Sequence, residues 1–326
     1  MSRASPIRLR VASGARKVEL ALPNEMAVRR RLALPAWRPK GLLGLALLAP
    51  SLVFLGLFTY WPVLQVLWQS LHAEARRQTV FVGLGNYRAL FADPAFAAAL
   101  VNNLVYALGT VVPSLVLALG FALALSSSTR LNAALRAILF LPVLIPLVAA
   151  SSLFLFIFLP QVGLLDHYLA KLGVQGANWL GDPDVALWSL MGLTIWKNAG
   201  YYMLFFLAGL QGIPEESYEA ARLDGANSWQ RLRYVTLPYL RPTLSFVAVI
   251  ALLNVVTQVD HIFILTKGGP SDSTNLLLFY VYQQAVERYD LGKAAAATVV
   301  SLALLLALSA TSLRRMERRT DAEEAR

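Results

Sequence analysis

The sequence predicts an all-α membrane protein with six transmembrane helices, cytoplasmic termini and short cytoplasmic helices between spans four and five. Composition and charge distribution support this fold class. Of the 326 residues, 57% are hydrophobic and only 15% are charged, whereas soluble domains contain about 25% charged residues. The mean hydropathy is +0.56. A chain with so few charged groups cannot cover a soluble surface with polar side chains.

Six apolar stretches are long enough to span a bilayer, which takes about 20 residues because backbone polar groups must be satisfied internally. The only charged residues within them are Lys197 in the fourth stretch and Asp260 in the fifth. The stretches are 42–67, 100–125, 137–160, 185–210, 243–265 and 294–313. They predict a membrane domain over 42–313, preceded by a basic cytoplasmic tail, 1–41, and followed by a charged cytoplasmic tail, 314–326.

The distribution of lysine and arginine predicts the orientation. Most of the 29 Lys and Arg residues fall in the segments that lie inside if both termini are cytoplasmic, and cytoplasmic segments carry such an excess. This distribution explains the net charge of +10 without a nucleic-acid-binding face, so we expect no nucleic-acid partner. The first apolar stretch is longer than the 7 to 15 or so residues of a signal peptide core, so we expect an uncleaved first helix.

Several kinds of chemistry are absent from the sequence. The chain has no cysteine, which excludes disulfides, thiolate metal sites and cysteine nucleophiles. It also lacks the phosphate-binding loop of ATPases, the H-E-x-x-H zinc helix and the G-x-S-x-G nucleophile elbow. We therefore expect no catalytic residue, no metal site and no cofactor in this chain.

The loop at 212–242, between spans four and five, contains the signals of two short helices. Pro214 fits a first helical turn, and Gly225 is a C-terminal stop. A second short helix is predicted from about Ser228 to Thr236, ending before Pro238. The local pattern alone also fits a solvated connector.

In that connector interpretation, surface charge pairs such as Glu219 with Arg222 would stabilise the first helix.

The loop resembles the EAA loop of permease subunits of bacterial ATP-binding-cassette importers, and we call 212–242 the EAA loop. The resemblance rests on Glu219-Ala220-Ala221, Asp224-Gly225-Ala226, Leu237-Pro238 and Pro242. The stretches 81–96, 196–214 and 264–277 are similar to the maltose-type carbohydrate-uptake permeases. Together these similarities cover most of 42–313.

The resemblance implies that the EAA loop docks in a groove of a separate ATPase, which would bind ATP and Mg. Small alanines allow close approach, glycine allows a tight turn, and the acids can cap amides or meet basic groups of the partner. The candidate ATPase-coupling residues are Glu219, Ala220, Ala221, Asp224, Gly225, Ala226 and Pro238.

The resemblance also implies an assembly in the bacterial inner membrane. Its other members would be a second permease subunit, two cytoplasmic ATP-binding subunits and an extracytoplasmic solute-binding protein, with membrane lipid around the spans. The second permease would be either a different chain or a copy of this one, and we expect a different chain. The outer loops 72–99, with Phe81, Tyr87, Leu90 and Phe91, and 260–293, with Gly268-Gly269-Pro270, either receive the binding protein or pack against the bundle.

Polar groups at membrane depth are costly and typically face a cavity, so they indicate where the solute binds. Amides bond to sugar hydroxyls, and aromatic rings cover the apolar face of a sugar. Asn254 and Gln258 lie four residues apart and should share a helix face. The alternative is that these side chains only join neighbouring helices. The candidate substrate-binding residues are Asn198, Tyr201, Asn254 and Gln258, with Lys197, Trp196 and Asp260 as further candidates.

Lys197 leaves the charge of the solute open. A buried pair with Asp260, or with a carboxylate of a second subunit, would satisfy its ammonium group. It could instead meet an anionic solute such as a glycerol phosphate. The function predicted from the sequence is thus an importer permease for a sugar or oligosaccharide, with an anionic solute or an ion-gradient-driven secondary carrier as the alternatives.

Overall fold

The computed structural model describes residues 41–75 and 78–324. The chain divides into two compact units, Met1–Tyr60 and Trp61–Arg326, and this boundary falls inside the first predicted span. The predicted N-terminal tail lies outside the described residues, apart from Gly41. The described part of the first unit is helix α1 (Gly41–Leu55) followed by a π turn (Gly56–Tyr60). Its side chains from Leu47 to Tyr60 are exposed.

The second unit begins with helix α2 (Trp61–Ser70) and a two-stranded antiparallel hairpin, β1 (His72–Ala75) and β2 (Gln78–Phe81), in which His72 pairs with Phe81. Helix α3 (Gly85–Phe91) follows. The Asn86 side chain holds the hairpin in place by donating hydrogen bonds to the carbonyls of Ser70 and His72. Within the described residues, this hairpin is the one departure from the all-α prediction.

Eleven further helices follow in the described residues, and the larger of two hydrophobic cores lies among them. They are α4 (Pro94–Ala124), α5 (Arg130–Leu144), α6 (Leu147–Ile157), α7 (Leu164–Lys171), α8 (Pro183–Gln211), α9 (Glu215–Leu223), α10 (Ser228–Arg231), α11 (Leu237–Thr257), α12 (Asp260–Leu265), α13 (Leu277–Tyr282) and α14 (Leu291–Glu324). Two further π turns lie at Leu232–Thr236 and Gln283–Glu287.

Three helical runs in the described residues are long and apolar enough to cross a membrane: Leu47–Ser70, Pro94–Ala124 and Ser228–Leu265. Helices α5 and α6 are bent by 99° and add a fourth if the pair is one span. A shorter apolar helix covers Leu291–Ala307. These helices support a multi-pass membrane protein, whereas the count of six spans and the cytoplasmic termini stay predictions.

Helix α8 is the central helix of the second unit, although it is not among those three apolar runs. Its N-terminus is capped by Asp182, which accepts from the Asp184 N–H. Leu190, Leu193, Met203 and Phe206 are fully buried within the core. Because surrounding helices cover it, α8 can carry polar side chains that would be costly against lipid.

A smaller core at the N-terminal end of α4 joins α3, α4, α13 and α14. The Asp93 carboxylate caps α4, accepts from the Tyr280 hydroxyl at 2.7 Å and pairs with Lys293. Burial alone would raise the pKa of Asp93, but hydrogen bonds from Lys293, Tyr280 and the Ala95 N–H lower that pKa below its usual value. Asp93 thus fastens α4 to the segment around α13 and α14.

Candidate EAA loop and membrane-depth site

The first helix of the EAA loop, α9, ends in a tight hydrogen-bonded turn. The Gly225 N–H donates to the Arg222 carbonyl at 3.0 Å, and the Ala226 N–H donates to the Ala221 carbonyl at 2.9 Å. This pair of bonds is the Schellman motif, which requires a left-handed residue after the helix. Gly225 supplies it with a φ of +75°, and a Cβ at that position would have no neighbour within 4 Å. The predicted stop is therefore present, and only backbone conformation requires glycine there.

Two side-chain contacts fasten α9 to the chain that follows it. The Tyr218 hydroxyl lies 3.0 Å from Thr236 Oγ1. The Ser217 Oγ lies 3.1 Å from the Tyr239 hydroxyl. Because Thr236 directly precedes α11 and Tyr239 lies in its first turn, these contacts tie α9 to the beginning of α11.

The prediction that the second helix ends before Pro238 is wrong. The chain is helical from Ser228 to Thr257, through the π turn at Leu232–Thr236. In this turn the Leu237 N–H donates to the Leu232 carbonyl. The wider turn accommodates Pro238, which has no N–H to donate. The EAA loop is thus continuous with a long apolar helix.

The outer surface of the EAA loop is uncovered. Glu219, Ala220, Asp224 and Gly225 are exposed, and Ala221, Ala226 and Pro238 are half-buried. Large apolar side chains accompany them, and Leu223 is 89% exposed. The suggested pair of Glu219 with Arg222 is not formed, since Lys293 with Asp93 is the only ion pair among the described side chains.

Lys197 on α8 binds backbone carbonyls rather than a carboxylate. Its ammonium group donates to the carbonyls of Pro142 and Val143, both at 3.2 Å, and to that of Ile145. These carbonyls end helix α5 at its break from α6, where Pro146 interrupts the chain. The last carbonyls of a helix lack intrahelical partners and carry partial negative charge, so Lys197 satisfies them. The suggested pair with Asp260 is not formed.

Gly200, one helical turn beyond Lys197, brings α8 against α5. A Cβ at Gly200 would lie 1.8 Å from the Leu139 carbonyl oxygen. This close approach brings the backbone of α5 within reach of the Lys197 side chain. We call the contact of Lys197 and Gly200 with α5 the α5–α8 contact.

The other candidate solute residues of α8 point in different directions. Asn198 is buried and donates to the Thr194 carbonyl of its own helix at 3.0 Å. Tyr201 is half-buried and packs edge-on against Phe205, with ring centroids 5.1 Å apart. Trp196 is 41% exposed and packs on Phe154 of α6.

Helix α11 ends at Thr257, and Gln258 is its C-cap: the Gln258 N–H still donates to the Asn254 carbonyl at 2.9 Å, and the chain becomes extended at Gln258. A shared face for Asn254 and Gln258 stays a prediction. Asn254 Nδ2 donates to the Tyr202 hydroxyl at 3.1 Å. Gln258 Oε1 is buried and accepts no hydrogen bond from the described residues. Asp260, the first residue of α12, is exposed. The helical period of the sequence gave no sign of this break.

Sequence reasoning missed three residues that join helices: Tyr202 joins α8 to α11, and Tyr106 with His261 joins α4 to α12. The Tyr202 hydroxyl links Asn254 to α8, and the Tyr201 and Tyr202 rings lie 5.6 Å apart. The structure thus brings Asn254 to the paired tyrosines and leaves Asn198 and Lys197 bound to backbone. The Tyr106 hydroxyl lies 2.9 Å from His261 Nε2, in a fully buried pair. Histidine in an apolar helix was the signal that could have identified this contact.

Residues 115–322 match the family described as the binding-protein-dependent transport system inner membrane component. The chain belongs to this family. Its members are permeases, so the protein is a membrane transport subunit rather than an enzyme. The matched region includes the whole EAA loop and the polar side chains of α8 and α11.

Similar proteins agree with this permease family. A probable ABC transporter permease, YurN of Bacillus subtilis strain 168, is 36% identical over 80% of this chain and 91% of its own length. The trehalose/maltose transport permease MalF of Thermococcus litoralis is 31% identical over 83% of this chain and 92% of its own length.

The fold also matches a chain in the crystal structure of a bacterial ABC transporter that imports the acidic polysaccharide alginate. The TM-score is 0.74 at 24% identity, covering 85% of this chain and 95% of the other. The predicted resemblance to the carbohydrate-uptake importer permeases is therefore confirmed.

The two loops predicted to lie outside, 72–99 and 260–293, are partly packed and partly exposed. Leu90 is fully buried in the smaller core, and the Tyr87 hydroxyl donates to Ser70 Oγ. Phe81 and Phe91 are 67% and 63% exposed. In the loop at 260–293, Asn275 is fully buried. Packing thus accounts for Leu90 and Tyr87, while Phe81 and Phe91 are free to contact a partner.

Proposed function

We propose that this permease forms half of the translocation path of an ATP-driven importer for a sugar or oligosaccharide. It would have six spans and cytoplasmic termini in the bacterial inner membrane. Its partners would be a second permease, two ATP-binding subunits and an extracytoplasmic solute-binding protein. ATP and Mg would bind to the ATP-binding subunits. The observation that carries this proposal is the exposed α9 helix with its Schellman turn, hydrogen-bonded to the start of α11.

Each part of the EAA loop has a role in this coupling. Glu219 and Asp224 would meet polar or basic groups of the ATPase, while the small Ala220, Ala221 and Ala226 would allow close approach. Gly225 fixes the direction in which α9 ends. Pro238 sits where the loop becomes α11, so it would help to pass movement of α9 into the membrane.

Tyr201, Asn254 and Gln258 are the best-supported solute contacts. An aromatic ring next to amide groups suits a sugar, which has an apolar face and vicinal hydroxyls. The unpaired Gln258 Oε1 is an acceptor that a sugar hydroxyl could satisfy. The trehalose/maltose permease among the relatives supports a carbohydrate. Asn198, Trp196 and Asp260 have less support, because they bind backbone, pack on Phe154 or face outward.

The hydrogen bonds of Lys197 support an uncharged solute rather than a glycerol phosphate. Its ammonium group already binds three carbonyls at the end of α5. A solute phosphate would have to displace these bonds and leave the Val143 and Ile145 carbonyls without this donor. We therefore assign Lys197 to the helix break rather than to selection of charge.

Co-purification tests the coupling role. The tagged permease, extracted in mild detergent from native membranes, should bring down a second permease and an ATPase with a phosphate-binding loop, identified by mass spectrometry. Gly225→Leu should lose the ATPase. Gly173→Leu is the matched control, because Gly173 also has a left-handed φ of +74° and open space around it. A permease recovered without any ATPase would contradict the proposal and favour gradient-driven transport.

Uptake by the Asn254→Ala, Gln258→Ala double variant tests the solute contacts. We expect the KM for the transported sugar to rise by about tenfold or more, as for loss of two hydrogen bonds. Tyr202→Phe is the control, since it removes the partner of Asn254 within the bundle. Uptake unchanged in the double variant, or lowered equally by Tyr202→Phe, would mean that these amides only join helices.

A further inference from the structure

A cavity of about 490 Å³ opens between the EAA loop and the adjacent ends of two long helices. Leu123 comes from the last turn of α4, and Leu210 comes from the last turn of α8. The EAA loop supplies the opposite wall. That wall includes Tyr218, Arg222, Arg231, Leu232 and Thr236.

The lining combines apolar, hydroxyl and basic groups, and it contains no acid. Leu123, Leu210 and Leu232 form the apolar part of the lining. Arg231 donates to Ser228 Oγ at 3.1 Å, and a guanidinium has further donors to offer. Arg222 is exposed and makes no side-chain hydrogen bond or ion pair with the described residues. Two arginines beside an apolar wall match a ligand with an anionic head and an apolar tail.

The end of α4 would otherwise repel an anion, because the C-terminus of a helix carries partial negative charge. Arg136 removes this obstacle by donating to the Leu125 and Ser127 carbonyls just beyond α4. The positive groups of Arg222 and Arg231 are therefore not offset by free carbonyls at Leu125.

We propose that this cavity binds the phosphate headgroup of an anionic phospholipid from the leaflet on the EAA-loop side. Arg222 and Arg231 would hold the phosphate, and the first part of an acyl chain would lie on Leu123, Leu210 and Leu232. Only a lipid uses both the basic and the apolar walls, whereas free phosphate would use only the arginines. The assignment of the cavity to the cytoplasmic leaflet rests on the proposed function.

The bound lipid would also affect the coupling of α9 to α11. Tyr218 and Thr236, whose hydroxyls fasten α9 to the run that leads into α11, both line the cavity. A lipid there would pack against this contact and stiffen it. Transport should therefore depend on anionic lipid through these residues as well as through the general surface charge.

Native mass spectrometry of the purified transporter, from nanodiscs of phosphatidylglycerol and phosphatidylcholine, tests the site. The wild type should retain phosphatidylglycerol. Arg222→Gln, Arg231→Gln should bind it roughly thirtyfold more weakly, as expected for two basic groups near a phosphate. Arg130→Gln, Arg233→Gln is the matched control, because it removes the same charge from exposed arginines outside the lining. It should retain the lipid.

Three outcomes would overturn the proposal. They are equal loss of phosphatidylglycerol in the control variant, full retention in the cavity variant, or displacement of the bound phosphatidylglycerol by inorganic phosphate. Arg222→Lys, Arg231→Lys serves as the folding control and should keep most of the lipid. The measurement needs neither transport nor a bound ATPase. Retained lipid without a co-purified ATPase would thus contradict the proposed function alone.

Discussion

The EAA loop and the α5–α8 contact use glycine in opposite ways. At Gly225 the surroundings are empty and the backbone turn needs glycine, whereas at Gly200 the backbone is an ordinary helix and a neighbouring carbonyl leaves no room for a Cβ. The loop presents its surface outward, while Lys197 and Gly200 are buried in the bundle. This difference separates a surface suited to a partner from a contact that holds the permease together.

The comparison predicts that changes at the α5–α8 contact act mainly on folding, whereas changes in the EAA loop act mainly on transport.

Gly200→Ala should destabilise the permease most, by about 3 kcal/mol, because its methyl group would overlap the Leu139 carbonyl and force α5 and α8 apart. Gly192→Ala in the same helix is the control, since a Cβ there has no neighbour within 4 Å. Thermal unfolding in detergent measures both variants. Equal melting temperatures would mean that α5 and α8 do not approach this closely.

Lys197→Met should cost about 2 kcal/mol, because it removes the donor to the Val143 and Ile145 carbonyls at the end of α5. Lys171→Met, at an exposed lysine of α7, should leave the melting temperature nearly unchanged. If Lys197→Met instead kept its stability and changed only the preference for anionic over neutral solutes in uptake assays, Lys197 would be a solute contact.

Asp93→Asn should cost about 1.5 kcal/mol at neutral pH, since it removes the charge that pairs with Lys293. The pKa of Asp93 is lowered in the folded protein. Its contribution is therefore present above the unfolded pKa of about 3.9 and is lost as the pH falls through the folded value. Melting temperatures recorded from pH 6 downward should converge for wild type and variant. Parallel curves would show that Asp93 does not titrate in this way.

Gly225→Leu should have the smallest effect on unfolding, about 1 kcal/mol for a side chain in the left-handed region, yet it should abolish transport. Gly225→Asn should keep part of the activity, because asparagine tolerates that region best after glycine. The assay is solute uptake at matched amounts of inserted permease. Normal uptake by Gly225→Leu would contradict a coupling role for the Schellman turn.

The same contrast explains what could be predicted from the sequence. The EAA loop was predictable because its turn depends on hydrogen bonds between neighbours, which Gly225 and the adjacent residues specify locally. The partners of Lys197 were not predictable, since Pro142, Val143 and Ile145 are distant in sequence and bind through backbone atoms that any residue provides. The end of α11 at Thr257 was not predictable either, because the apolar sequence continues through the break.

Site-directed cross-linking tests whether the EAA loop docks on an ATP-binding subunit, and the absence of cysteine from the sequence makes this chain a ready background. Leu223→Cys places a thiol at the end of α9, where Leu223 is 89% exposed. Val162→Cys places one after α6, in the predicted outer segment between spans three and four, where Val162 is 82% exposed. We predict that Leu223→Cys cross-links to an ATP-binding subunit and resists membrane-impermeant maleimide in intact cells, whereas Val162→Cys reacts with the maleimide. Labelling of Leu223→Cys from outside, or cross-linking of Val162→Cys to the ATPase, would contradict docking of the EAA loop on a cytoplasmic ATP-binding subunit.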